Sequence, residues 1–154
     1  MGASSINVPR VVFLLPRVYL GLIFAVAVYA KYTAPHGFAA ALTGFLSGVA
    51  LQNGFLWYRP IVSDAVLPNV QTFAVAIMAA ETVVALAMFL GLWTRVASVV
   101  AIFLLLNYAS AKGLPFWSPA SNDAADIVLA VLVFMGNAGL AFGLDGLLRS
   151  RKRG

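Results

Sequence analysis

The chain has 154 residues, 62% of them hydrophobic and only 10% charged, and its mean hydropathy of +0.96 exceeds what one soluble core can account for. Its formal charge of +5 comes largely from residues beside hydrophobic stretches, where positive charge acts as a topology signal, so no nucleic-acid partner is expected. The absence of cysteine excludes disulfides, thiolate metal sites and dithiol redox chemistry, so a redox role requires a borrowed cofactor or a partner.

Four apolar stretches are long enough to cross a hydrocarbon core, which takes about 20 helical residues. They lie near residues 12–33, 70–93, 95–112 and 123–145. The first stretch has a second interpretation as a signal peptide, because Val28-Tyr29-Ala30 is similar to a small-residue cleavage site. We predict an all-α integral membrane protein, in which residues 1–148 form one four-transmembrane-helix bundle and residues 149–154 form a basic cytoplasmic tail.

Positive charges are unequally divided between the two sides of this predicted bundle. With the N-terminus inside, seven of them lie at cytoplasmic ends of the spans and three lie outside. The inner group is Arg10, Arg17, Arg95, Arg149, Arg151, Lys152 and Arg153, and the outer group is Lys31, Arg59 and Lys112. We therefore expect a multi-pass protein with both termini cytoplasmic, whose basic tail touches anionic lipid headgroups.

The first outer connection, residues 34–69, is too long for a simple turn. Apolar residues recur in it at helical spacing, namely Phe38, Leu42, Phe45, Leu46 and Val49. An aromatic stretch over residues 55–58 follows and suits the headgroup zone. The pattern predicts an interfacial or partly re-entrant helix, which is either a membrane anchor or a lid over a lipophilic ligand.

Two further connections are short. The second and third spans are separated only by Gly91-Leu92-Trp93-Thr94-Arg95, so an antiparallel hairpin is predicted there. The second outer loop, residues 113–119, combines turn formers with the aromatic residues Phe116 and Trp117. This loop repeats the aromatic character of the first outer connection.

Glu81 is the first candidate for chemistry. Ionisable groups inside membrane spans are expensive to bury and usually face the bundle interior or a watery cavity. Glu81 lies near the middle of the second span and has no charged neighbour in sequence. We predict that it acts catalytically, as a proton donor or acceptor for a bound quinone or another polar headgroup. The alternative is a structural hydrogen bond or ion pair to another helix.

Three more polar residues, Lys31, Asn107 and Asp126, fall in the outer halves of the first, third and fourth spans. We predict that they bind substrate, with Lys31 paired to Asp126 or Glu81 and Asn107 bridging them. Two alternatives remain open. Lys31 reaches the headgroups by snorkelling, or Asp126 only favours the N-terminal end of its helix through the macrodipole.

Residues and motifs that the sequence lacks exclude several cofactors and enzyme classes. His36 is the single histidine, so a haem held by two histidines is excluded, and His36 offers at most one axial ligand to a haem or chlorophyll. The sequence has no Walker loop, no HExxH, no GxSxG and no pair of carboxylates at metal-binding spacing. We therefore expect no metal site and no covalent cofactor, with a bound quinone as the candidate ligand.

Three segments carry a family resemblance. In the first span, Arg17 is followed by Leu20-Gly21, Phe24 and Lys31. In the second, Glu81 leads through Leu86 and Leu90 to Gly91-Leu92-Trp93-Thr94-Arg95-Val96-Ala97. The last runs from Gly136 through Gly143-Leu144-Asp145-Gly146-Leu147-Leu148. Together and in this order, the segments resemble the DoxX family of small membrane proteins.

This resemblance implies a four-helix bundle of a bacterial or archaeal cytoplasmic membrane. The family includes the DoxD-type subunit of thiosulfate:quinone oxidoreductase, so it also implies a subunit of a quinone-linked electron-transfer complex, in contact with lipids and other subunits. Whether such a subunit is itself an enzyme stays open. The alternative is a non-catalytic scaffold that packs against the helices, pigments or lipids of a larger respiratory or photosynthetic complex. A small carrier or permease is a third interpretation.

Overall fold

The computed structural model describes residues 10–115, 118–140 and 142–151, and within these ranges the chain is helical apart from turns. Its α-helices are α1 (Leu14–Tyr32), α2 (Phe38–Phe45), α3 (Leu51–Asn53), α4 (Arg59–Ile61), α5 (Val70–Leu90), α6 (Thr94–Lys112), α7 (Asp123–Gly136) and α8 (Leu144–Arg151). Three 3-10 turns (Arg10–Phe13, Leu67–Asn69 and Ala138–Leu140) and two π-helical turns (Leu46–Ala50 and Val62–Val66) extend these helices. The all-α class predicted from the sequence is confirmed for the described residues.

Three helical segments of the described chain are long and apolar enough to cross a membrane. They are Val11–Tyr32, Arg59–Leu90 and Thr94–Lys112, which correspond to the first three predicted spans. The fourth predicted span, 123–145, is not one continuous helix. Helix α7 has 14 residues, which is about 21 Å and short of a hydrocarbon core of about 30 Å. It ends because Asn137, after Gly136, adopts a left-handed conformation with φ 47°.

The predicted outer connection is also mostly helical. Helix α2, the π-helical turn Leu46–Ala50 and α3 follow one another from residue 38 to residue 53, and we call this segment the cross helix. The chain becomes helical again at Arg59 and continues into α5, so the second membrane-length segment starts earlier than residue 70. Pro60 and Pro68 each fall in the first turn of a helical segment, where the missing N–H group is not needed.

Helix α1 packs mainly against α5, and α6 packs mainly against α7. The predicted hairpin is present, because Gly91, with φ 63°, ends α5 and Thr94 begins α6. We name the two ends of the bundle after α1. The Arg17 end holds the α5–α6 turn, and the Lys31 end holds the ends of α1 and α6 and the start of α7.

Two clusters of buried apolar residues lie along the bundle. The first joins α1, α5, α6 and α7 and is centred on fully buried residues such as Leu20, Val84, Met88, Ala101 and Val133. The second joins the cross helix to the 59–77 segment and to α6 through Leu42, Leu46, Val62 and Ala111. The helix predicted in the outer connection is therefore present and packed on the bundle, while its depth in a membrane stays a prediction.

Candidate functional site

Glu81 is buried inside the bundle, with 1% of its surface exposed. It shares the buried face of α5 with Val84, Ala85 and Met88, positions spaced by three or four residues, so helical periodicity turns its carboxylate inward. The Lys31 Nζ atom lies 2.8 Å from Oε1 and 2.7 Å from Oε2 of Glu81. One of the two pairings predicted for Lys31 is thus present.

Tyr108 completes this group, which we call the Glu81 cluster: Lys31, Glu81 and Tyr108. The Tyr108 hydroxyl donates a hydrogen bond of 2.6 Å to Glu81 Oε1. The Lys31 Nζ atom also lies 5.8 Å from the centre of the Tyr108 ring and 5.3 Å from that of Phe38, within the range of cation–π attraction. Three helices, α1, α5 and α6, therefore hold one carboxylate between a cation and a phenol.

A cavity of about 640 Å³ lies beside the Glu81 cluster, between the cross helix, the 59–77 segment and α6. Most of its lining is apolar and comes from residues such as Phe38, Phe45, Leu46, Phe73, Ile77 and Phe103. Its polar lining is Lys31, Tyr58, Asn107, Tyr108 and Lys112. Its volume falls in the range of roughly 300–1,000 Å³ that is usual for small-molecule sites. The chain thus has an apolar cavity with a few polar groups on its wall.

Glu81 is not among the described residues that line this cavity. The two side chains bonded to it, Lys31 and Tyr108, do line the cavity and stand between it and the carboxylate. An effect of Glu81 on a molecule in the cavity is therefore transmitted through these two neighbours. Sequence reasoning missed Tyr108, although its helical spacing from the buried residues Leu104 and Ala111 marks an inward face of α6.

Asn107 lines the cavity but does not bridge the ionisable residues as predicted. Its Oδ1 atom accepts a hydrogen bond of 3.0 Å from the Tyr58 hydroxyl, and its Nδ2 group donates one of 2.7 Å to the Phe103 carbonyl. Burial raises the pKa of Tyr58, so the phenol stays protonated and remains a donor. The Tyr58–Asn107 bond ties the chain between the cross helix and α4 to helix α6.

Asp126 lies apart from the Glu81 cluster. It is buried near the start of α7, and its charged neighbours are Asp123 and Lys112. The Lys112 Nζ atom lies 2.8 Å from Asp123 Oδ2, which makes a second ion pair at the Lys31 end. The predicted Lys31–Asp126 pairing is therefore not formed. Asp126 occupies the N-terminal part of its helix, where the macrodipole favours negative charge.

His36 is exposed in the turn between α1 and α2, with φ 63°. It is not among the described residues that line the cavity, so the pigment ligand suggested for it stays a prediction. Two aromatic residues of the second outer loop, Phe116 and Trp117, and the tail residues Lys152 and Arg153 lie outside the described part of the chain.

Arg17 is buried at the other end of the bundle, with 2% of its surface exposed. Its guanidinium donates hydrogen bonds to the carbonyl groups of Ala138, at 2.9 Å, and Phe142, at 3.5 Å. The position of Arg17 at the start of the first span predicts only a topology signal. In the structure its hydrogen bonds connect α1 to the chain after α7, where carbonyl groups beyond the helix end need donors.

These features define a class: a small α-helical membrane protein whose packed bundle places a buried ion pair beside an apolar cavity. The DoxX family model matches residues 12–111, and the chain therefore belongs to the DoxX family. The match includes the Arg17 and Glu81–Ala97 segments but not the closing Gly136–Leu148 segment. Searches of curated proteins and of solved structures return no match to the chain.

Proposed function

We propose that this DoxX-family protein binds a quinone headgroup in the cavity and serves as the quinone-binding subunit of a membrane electron-transfer complex. The observation that carries the proposal is the combination of an apolar cavity of about 640 Å³ with the Glu81 cluster at its wall. A quinone ring needs apolar walls and hydrogen-bond donors for its carbonyl oxygens, and this lining has both. When bound, a quinone supplies chemistry that takes up two electrons and two protons.

The chain's own residues have separate parts in this proposal. Lys31 has three N–H donors and two carboxylate contacts, so it keeps donor capacity for a ligand carbonyl. The Asn107 amide uses one of its two N–H groups on Phe103, which leaves a second donor on the cavity wall. Asp126 has no direct part in this proposal, because it is not among the described residues that line the cavity.

Glu81 is the proposed proton-exchanging group. Its carboxylate contacts both Lys31 and Tyr108, and each of these side chains reaches the cavity wall. Glu81 accepts both hydrogen bonds as a carboxylate, so it first takes up a proton from water. It then passes that proton, through a hydrogen bond of less than 3 Å, to replace one that Lys31 or Tyr108 gives to the ligand, and it is left as a carboxylate again. Electrons come from a partner subunit in this proposal.

In this proposal the cross helix acts as a lid over the cavity. Phe38, Leu42 and Phe45 supply one wall of the cavity, and the helix is linked to α1 by a turn in which Gly37 has φ 85°. This supports the second of the two interpretations of the outer connection, in which an aromatic helix covers a lipophilic ligand. Ligand entry from the lipid phase then requires only local displacement of α2.

The binding test uses the purified chain in lipid nanodiscs and short-chain ubiquinone and menaquinone analogues. Ala41 lines the cavity and Ala40, its exposed neighbour, does not, so Ala41→Phe and Ala40→Phe are a matched pair. We expect wild type and Ala40→Phe to bind one of the analogues, and Ala41→Phe to bind it at least about tenfold more weakly. Absence of binding by wild type, or equal binding by the two variants, overturns the proposal.

The redox test uses the native complex with its partner. Glu81→Gln removes proton exchange at nearly constant volume, so quinone reduction should fall by about a hundredfold or more while the amount of assembled complex is kept. Asp64→Asn changes an exposed carboxylate and serves as the control. If Glu81→Gln abolishes accumulation and the surviving complex has normal specific activity, the carboxylate is structural.

A second candidate, the accessory scaffold, is favoured by the outer face of α1. Large apolar residues on this face are exposed, among them Leu15, Tyr19, Leu22, Val26 and Tyr29. Lipid or a neighbouring subunit covers such a face in a membrane. Co-purification of a stoichiometric partner without any bound quinone favours this candidate over the first.

A further inference from the structure

The charges around the cavity are arranged in pairs. Lys31 and Lys112 are the cationic side chains among the described lining residues, and each lies within 3 Å of a carboxylate, Glu81 and Asp123 respectively. Asp126 is a further acidic neighbour of Lys112, so that side of the cavity has no excess of positive charge. A molecule in the cavity therefore meets hydrogen-bond donors whose charge is already balanced.

Because of this charge balance, neutral and anionic headgroups should bind in the cavity with different affinities. A neutral acceptor needs only a spare N–H group of Lys31. An anionic headgroup close enough to contact Lys31 Nζ also comes close to Glu81, whose two oxygens lie 2.7 and 2.8 Å from that same nitrogen. Repulsion by Glu81 offsets most of the attraction by Lys31, and the anion still loses its hydration on entering an apolar cavity.

We propose that the cavity selects lipophilic molecules with uncharged headgroups over anionic lipids, and that Glu81 sets this selectivity by neutralising Lys31. The inference deepens the proposed function and depends on the cavity being its ligand site. It assigns Glu81 a part in specificity that is separate from proton exchange. It also predicts that the loss of one carboxylate turns the site into one for anionic lipids.

The experiment compares two probes that share one alkyl chain, hexadecanol and hexadecane sulfonate, at trace levels in phosphatidylcholine nanodiscs. The sulfonate is charged at every working pH. We expect wild type to bind the alcohol at least about tenfold more tightly than the sulfonate. Glu81→Gln should raise the affinity for the sulfonate by at least about tenfold, and added salt should reduce that gain.

Two further variants separate charge from structure. Lys31→Met combined with Glu81→Gln removes both charges together, so no buried charge is left unpaired, and the gain in sulfonate binding should disappear. Asp64→Asn, at an exposed carboxylate away from the cavity lining, should bind both probes as wild type does. If Glu81→Gln does not fold, the two probes still decide with the wild-type chain whether the cavity prefers an uncharged headgroup. Glu81→Met, which also removes the carboxylate at similar volume, then decides whether Glu81 sets that preference.

The outcomes distinguish this inference from the proposed function. Equal binding of the two probes by wild type, or no binding of either, overturns the inference. Selective binding of hexadecanol without binding of any quinone analogue supports the inference and contradicts the quinone proposal. Binding of a quinone analogue together with equal binding of the two probes supports the quinone proposal and contradicts the inference.

Discussion

The two ends of the helix bundle are built in different ways. At the Arg17 end, backbone segments approach one another so closely that glycines and one guanidinium fill the space between them. At the Lys31 end, Gly54 and Gly113 make one close backbone approach between α3 and the end of α6, but a cavity of about 640 Å³ lies between the cross helix, the 59–77 segment and α6. Long polar side chains join the helices around that cavity. The difference fits the proposal that one end mainly holds the fold while the other binds a ligand.

The Arg17 end joins the three segments of the family resemblance. Arg17 packs against Gly91, and the Asp145 carboxylate accepts hydrogen bonds from the backbone N–H groups of Trp93, at 2.8 Å, and Thr94, at 3.1 Å. The N–H groups at the start of α6 have no acceptor within the helix, and Asp145, which is distant in sequence, accepts their hydrogen bonds. The parts of these segments that meet here pack the bundle, whereas Lys31 and Glu81, which belong to the first two segments, form an ion pair toward the other end.

The largest effect should follow from Arg17→Met, which removes the donors for two carbonyl groups at the packed end. We expect a loss of about 3 kcal/mol or more in the free energy of unfolding, because buried acceptors lose charged donors. Unfolding in denaturing detergent, followed by tryptophan fluorescence, measures it. Arg95→Met, at an exposed arginine of the same end, should change stability by less than about 1 kcal/mol. Equal losses of stability in the two variants would contradict the conclusion that the buried hydrogen bonds of Arg17 hold this end together.

Gly91→Ala should have the next largest effect. A Cβ atom on Gly91 would lie 2.6 Å from both Arg17 Nη1 and the Gly143 Cα atom, and φ is 63° there. We expect a loss of about 2 kcal/mol in the same unfolding measurement.

Gly44→Ala is the control for that substitution at the other end of the bundle. Gly44 lies in α2 and has nothing within 4 Å of the added Cβ atom, so the change should be neutral or stabilise by up to about 1 kcal/mol. If Gly91→Ala is tolerated as well as Gly44→Ala, the two ends do not differ in packing as described.

Tyr108→Phe tests the Glu81 cluster and should have an intermediate effect. It removes the hydroxyl that donates to Glu81 Oε1, which should destabilise the fold by about 1.5 kcal/mol, since bonds to charged groups exceed neutral ones. Tyr29→Phe, at an exposed tyrosine of α1, should leave stability unchanged. A loss of ligand affinity that exceeds the loss of stability would mark Tyr108 as a positioning residue.

The smallest effect is expected for Tyr58→Phe, which breaks the hydrogen bond to Asn107 on the cavity wall. The loss should be about 1 kcal/mol or less, confined to the Lys31 end. Amide hydrogen exchange should report it at Phe55, whose N–H group is bonded to the Ser110 carbonyl at 3.1 Å. Exchange at α5 residues of the Arg17 end should not change. Faster exchange throughout the bundle would contradict the division into two ends.

Hydropathy determined the class and three of the helices. Long apolar stretches predict α1, α5 and α6, and the short connection Gly91-Leu92-Trp93-Thr94-Arg95 predicts the hairpin between the last two. Both members of the Lys31–Glu81 pair are also predictable from the sequence, because ionisable residues inside membrane spans need partners.

Tertiary structure decided the rest. Hydropathy does not report where a backbone turns, so the end of α7 at Gly136 and the early helical start at Arg59 were not predicted. The partner of an inward side chain depends on how two helices are rotated against each other. That rotation brought Tyr108 to Glu81, took Asn107 to Tyr58 and buried Arg17, and it opened the cavity that no local sequence pattern describes.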